Sequence, residues 1–112
     1  MATIDDLRAY GANVDEGLKR CMNNEAIYLR LVGTLKGEQA FGRLADAVAA
    51  GDLDAAFEAS HALKGSLGNL SITPLYDSVC EICELLRAKT QMDYTPLMNT
   101  INEQHEKLVA LL

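Results

Sequence analysis

The sequence predicts an all-α protein, an antiparallel up-down four-helix bundle with short additional N-terminal helices. Three observations carry this. Apolar residues recur at spacings of three and four almost throughout, the period of an amphipathic helix, and no segment alternates like a strand. Helix-start residues punctuate the chain at Thr3, Asn13, Asn24, Asp52, Thr73-Pro74 and Thr95-Pro96. The links between the longer helices are short, which makes consecutive helices antiparallel neighbours. The 112 residues make one domain, 1–112, with a modest core.

Taken in order, Thr3 caps a short helix with Asp6 as a capping-box partner, and Gly11 ends it. Asn13 opens a second, Val14 to Met22, with acids first and bases last, as the helix dipole favours. These short helices span about residues 3–22, and Asn23-Asn24 separates them from the rest. Bundle helices are expected at about 25–50, 52–70, 73–89 and 95–112. In the first, Ile27, Tyr28, Leu31, Val32 and Leu35 form one face, which Phe41, Leu44, Ala45 and Val48 continue to Gly51. Gly33, Gly37 and Gly42 weaken a straight rod there, leaving open one hinged helix or two. Gly51-Asp52 is a clear boundary, a C-terminal glycine followed by an N-cap aspartate. The second bundle helix runs through Ala56, Ala59, Leu63 and Leu67 to about Leu70. Thr73-Pro74 starts the third, with a capping hydroxyl and an inner face of Leu75, Val79, Ile82, Cys83 and Leu86. Thr95-Pro96 repeats that signal, and Leu97, Ile101, Leu108, Val109 and Leu112 line the last helix. With no Trp and 5% aromatics, the core must rest on Leu, Ile, Val and Ala.

Composition narrows the function. A net charge of −6 argues against nucleic acid as a partner, because a phosphate backbone needs a basic surface. No stretch of about 18 apolar residues is present to span a membrane. The N-terminus lacks the basic and apolar regions of a signal peptide, so a cytoplasmic location is expected. Three cysteines, an odd number, fit a reducing compartment. Nothing suggests an extended dimer helix pair, and a monomer is expected.

One stretch stands out: His61-Ala62-Leu63-Lys64-Gly65-Ser66-Leu67-Gly68-Asn69-Leu70. At about 100° per residue, Lys64 lies about −60° from His61, Gly65 about +40° and Gly68 about −20°. Leu63, Leu67 and Leu70 gather on the opposite side, at about 200°, 240° and 180°. A glycine costs about 1 kcal/mol relative to alanine in a helix interior, so two beside an outward-facing imidazole need a reason. Clearance for something large is that reason. An open imidazole has a reference pKa of about 6.5 and keeps a nitrogen lone pair near pH 7, able to take up a phosphoryl group. Lys64, one turn along, can hold a phosphoryl oxygen. No glycine-rich phosphate loop, second acid or second histidine accompanies His61, so activating groups and any Mg²⁺ must come from a partner.

Phe57, at about −40° on the same face, is read either as a docking anchor or as packing against a neighbouring helix. Cys80-Glu81-Ile82-Cys83 has redox or metal spacing, with Cys21 and His105 as further ligands on paper, but cysteine is more often a small buried apolar residue; no metal site is expected. His105, among Glu103, Gln104, Glu106 and Lys107, reads as a solvated-face residue.

The pattern His61-x-Leu63-Lys64-Gly65-x-x-Gly68-Asn69-Leu70 resembles the histidine-containing phosphotransfer (HPt) domains of multistep phosphorelays. Asn13 to Arg20, Glu25 to Leu31 and Ala49 to Leu53 look like the usual lead-in, so the likeness covers roughly residues 13–89 and reaches the last helix by pattern. Ser71 departs from the glycine with which many members continue, at the predicted helix end. The resemblance implies a four-helix bundle with His61 phosphorylated. It also implies exchange with the aspartate of a response-regulator receiver domain, and a hybrid histidine kinase as a further partner. Lys64 would stabilise the phosphate, Gly65 and Gly68 would give access, and Phe57 and Asn69 would dock the receiver. Such a protein is a carrier without catalytic activity of its own and without a cofactor, Mg²⁺ belonging to the receiver. The competing expectation is a helical module that docks a receiver or kinase without accepting phosphate. A general-base role for His61 in an enzyme is weaker, because no second titratable group accompanies it.

Overall fold

The structure is a computed structural model that describes residues 2–112. Seven α-helices and one 3-10 turn make up the fold, with no strand among the described residues. They are α1 (Ile4–Tyr10), α2 (Val14–Arg20), α3 (Glu25–Gly33), the 3-10 turn Thr34–Gly37, α4 (Ala40–Ala49), α5 (Leu53–Asn69), α6 (Thr73–Arg87) and α7 (Thr95–Leu111). The molecule is elongated, 42 × 23 × 20 Å. Among the described residues no helix is long and apolar enough to cross a membrane.

The local punctuation works as side-chain chemistry. The Thr3 hydroxyl accepts from the Asp6 amide at 3.1 Å while the Asp6 carboxylate accepts from the Thr3 amide at 3.0 Å, a complete capping box. Gly11 takes φ 109°, a left-handed value that closes α1. Asn13, Asn24 and Asp52 each accept from the amide three residues on, capping α2, α3 and α5. Thr73 and Thr95 behave otherwise than expected. Each lies inside its helix, the caps being Ile72 and Tyr94 with no side-chain cap bond. The Thr73 hydroxyl instead donates to the Ser71 carbonyl at 3.2 Å, and at α7 the Asp93 carboxylate accepts from the Thr95 amide at 2.9 Å.

Residues 25–49 form two helices with a break between them. The 3-10 turn after α3 buries Leu35, and Glu38 turns extended at φ −69°, ψ 115°, before its carboxylate accepts from the Ala40 amide at 2.9 Å. The two pieces still run together antiparallel to α5. The Asp52 amide donates to the Ala47 carbonyl at one end, and the Tyr28 hydroxyl donates to the Leu70 carbonyl at the other. α5 packs between α4 and α6, and α7 lies against α6.

The core consists of the apolar stripes these periods create. Leu44, Leu63, Leu67, Leu75, Val79 and Ile82 are wholly buried, and each such side chain contributes about 1.5–3 kcal/mol. The inner face of α6 is the one its period requires, Leu75, Val79, Ile82, Cys83 and Leu86. In α7 the buried residues are Met98, Ile101 and Leu108, whereas Leu97, Val109 and Leu112 are only partly covered. The stripe 94-98-101-105-108 alternates steps of four and three, so His105 falls within it. It is therefore half-buried rather than solvated, its ring stacked on Phe41 with centroids 3.8 Å apart and planes 14° apart.

The N-terminal helices cover the end of the bundle where α5 turns into α6. The Asn13 amide donates to the Ser71 carbonyl at 2.9 Å, and the Tyr10 hydroxyl reaches the Gln104 carbonyl of α7 at 2.9 Å. Gly11 lies under Pro74, where a Cβ would come within 2.9 Å of the proline ring. This docking brings α2 alongside the C-terminal half of α5.

Candidate functional site

The Asp52 cap starts α5, and its Leu63 and Leu67 are clamped at zero exposure, which fixes the helix in rotation. The face opposite that stripe carries His61, exposed in mid-helix, with Gly65 and Asn69 exposed beyond it. At Gly65 a Cβ would meet nothing within 4 Å, so the space beside the imidazole is open. Gly68 is different. A Cβ there would lie 2.9 Å from Cε1 of Tyr76, so the missing side chain makes room for a ring of α6. Of the two glycines expected to give access, only Gly65 is clear of the protein's own side chains.

The Phe57 ring stacks on that of His61 with centroids 5.7 Å apart and planes inclined by 27°. The Arg87 guanidinium covers the Phe57 ring at 5.0 Å from its centroid. Phe57 is partly buried against the core and packs across to α6, as its packing reading expects, and its ring also stands beside the imidazole.

Lys64 does not hang free beside His61. Its Nζ lies 3.7 Å from Glu84 Oε1 on α6, and the other oxygen of Glu84 lies 3.5 Å from Arg87 Nε. Five side chains thus form a row of contacts, from Lys64 through Glu84, Arg87 and Phe57 to His61, with both ends on α5.

On the other side, His61, Lys64, Gly65, Gly68 and Asn69 line a groove of about 530 Å³ whose far wall includes Asn13, Glu16 and Arg20 of the α2 segment. Ser71, Thr73, Tyr76 and Asp77 form its end. Arg20 Nη2 is paired to Glu16 Oε1 at 3.1 Å. The Cys80 thiol, by hydrogen bond and by charge, raises the Tyr76 phenol above its usual range, and Arg20 pulls it the other way. Ser71 holds the turn in the left-handed region at φ 56°, and its buried hydroxyl has no partner among the described residues.

Sequence reading missed the α2 wall and the Glu84–Arg87 pair. Glu84 and Arg87 carried a signal, an i,i+3 charge pair on one helix. Nothing local links Arg20 to His61. The cysteines come to no metal centre: Cys21 and Cys83 are buried, Cys80 is partly so, and no group of three potential ligands occurs among the described residues.

The Hpt domain family model matches residues 30–111, more than two thirds of the chain. No curated protein and no solved structure matches it. The matched span includes the α4–α7 bundle and the whole His61 face, while α1, α2 and the start of α3 lie before it. An exposed imidazole on the central helix of an all-α bundle and that match lead to one conclusion: the chain belongs to the Hpt domain family, whose members carry phosphoryl groups on histidine in phosphorelays.

Proposed function

We propose that His61 is the residue that carries the phosphoryl group, received from and returned to the aspartate of a receiver domain. The observation that carries this reading is the exposed imidazole in mid-α5 with open space at Gly65 one turn on. A receiver's aspartyl phosphate can approach that side in line. An imidazole nitrogen lone pair forms the N–P bond as the O–P bond breaks, and the electron pair leaves on the aspartate carboxylate. The reverse step restores both, through a loose transition state in which the work is positioning and charge neutralisation. The receiver supplies the Mg²⁺, and this chain supplies the nucleophile and cations near it. Lys64 meets a phosphoryl oxygen after leaving Glu84, and Phe57 and Asn69 meet the receiver surface. On this reading the chain is a carrier and not an independent enzyme, with response-regulator receivers and a hybrid histidine kinase as partners.

The test is incubation with phosphorylated receiver domains from the same cell, followed by assay for acid-labile, alkali-stable phosphate on this chain. Transfer to the wild type and none to His61→Gln is expected. Undiminished labelling of His61→Gln, or no labelling of the wild type by any such receiver, would reject the reading.

A further inference from the structure

The row of contacts that runs from Lys64 to His61 gives the one carboxylate in it an unexpected place. We propose that Glu84 of α6 is a positioning residue for the phosphoryl site: it holds Lys64 while His61 is bare, and yields it when His61 carries phosphate. Glu84 thereby sets how far transfer lies toward phosphohistidine. The inference rests on the reading of His61 as the phosphorylated residue and adds a residue from another helix to it.

The geometry is that of a shared cation. Lys64 Nζ is 3.7 Å from Glu84 Oε1, beyond hydrogen-bond length, and the side chains are 32% and 58% exposed. A contact this long and wet is weak and readily exchanged. Glu84 also has a second partner, Arg87 Nε at 3.5 Å, so losing Lys64 does not leave the carboxylate alone. Arg87 in turn is held over Phe57, the ring stacked on His61. Lys64 lies one helical turn beyond His61 on the same face, so a phosphoryl group on the imidazole comes within its reach. A phosphoryl group carries roughly −1.5 to −2 charges near neutral pH, against one for the carboxylate, so the lysine moves toward it. Glu84 therefore competes with phosphate for the same ammonium.

The competition predicts a direction. Glu84→Gln frees Lys64 in the bare state and so favours the phosphorylated one. A surface ion pair is worth at most about a fivefold change in an equilibrium. The test uses the full chain and a phosphorylated receiver, reading the equilibrium ratio of phosphohistidine to phosphoaspartate. Glu84→Gln should raise it about two- to fivefold, and in a Lys64→Gln background the same change should have little effect. Glu81→Gln removes the same charge from an exposed position on α6 and controls for the general field. A second measurement loads His61 chemically with phosphoramidate and follows the Glu84 carboxyl carbon by NMR. Its signal should move toward that seen in Lys64→Gln.

Four results would overturn the proposal: Glu84→Gln no different from wild type, Glu84→Gln no different from Glu81→Gln, an effect that persists in Lys64→Gln, or a Glu84 signal indifferent to loading. If neither the receiver nor phosphoramidate puts phosphate on His61, the reading of His61 itself fails and the proposal falls with it. Phosphate on His61 with an unchanged Glu84 rejects only the role of Glu84.

Discussion

The Tyr28 hydroxyl donates a buried 2.8 Å hydrogen bond to the Leu70 carbonyl, tying α3 to the C-terminal end of the helix that carries His61. Gly17 of α2 lies against the same ring, where a Cβ would come within 2.5 Å of Cε1. One tyrosine thus connects α2, α3 and α5 and holds the far wall of the groove in place.

Tyr28→Phe should lower stability by about 1–3 kcal/mol, because a buried carbonyl loses its donor. Gly17→Ala should also destabilise, since the ring must shift in a packed core. Burial pushes the Tyr28 phenol up to about 12, and Tyr10 likewise to about 12. The unfolded phenol, near 10, loses its proton first, so the native state binds more protons and stability falls as pH rises from 10 toward 12. Denaturant unfolding across that range should show the decline, with a smaller slope in Tyr28→Phe.

The two glycines of the His61 face should separate under substitution by alanine. Gly65→Ala meets open space, so helix propensity should raise stability by up to about 1 kcal/mol, while the added methyl beside the imidazole should slow phosphoryl transfer. Gly68→Ala must displace the Tyr76 ring and should lose most of that gain. Thermal melts and transfer rates on the same two variants check both. Faster transfer in Gly65→Ala would count against its role in access.

Ser71 holds a left-handed turn with a side chain and a buried hydroxyl that has no partner among the described residues. A non-glycine residue in this region costs about 1–2 kcal/mol. Ser71→Gly removes that cost, against about 0.4–1 kcal/mol of added freedom in the unfolded chain. A net stabilisation between zero and about 1.6 kcal/mol is expected, read as a higher Tm. A lower Tm would show that the turn depends on the serine.

His105 titrates from a half-buried place against Phe41, and burial holds its pKa below the usual 6.5. The unfolded histidine therefore takes up a proton first as pH falls, so the stability it contributes is present above 6.5 and is lost below it. His105→Phe keeps an aromatic ring on Phe41 and removes the titration. The stability of the variant relative to wild type should rise as pH drops from 7 to 5, measured by denaturant melts. A pH-independent difference would place His105 outside the acid response.

Much of this was legible along the chain. The three-and-four period foretold the helices, and residues that accept from an amide three positions on foretold their starts at Thr3, Asn13, Asn24 and Asp52. These are interactions within one turn, so local sequence contains both partners. On α7, Ile101 and Leu108 lie on the buried stripe as expected, and Met98 and His105 complete it; a histidine among charged residues did not look like part of it. Thr73 and Thr95 resembled caps because a threonine before a proline fits either the cap or the first helical turn.

By itself the sequence determined an all-α chain with His61, Lys64, Gly65 and Gly68 on one face of one helix, because a helix's period relates residues a few positions apart. What faces them depends on how the helices pack. That packing sets Glu84 against Lys64, Tyr76 over Gly68, Arg87 over Phe57, and Arg20 across the groove. Those pairings join residues many positions apart on different helices. They depend on how packed helices are rotated and shifted against one another, which buried leucines and the Tyr28 tether set together and no local period specifies.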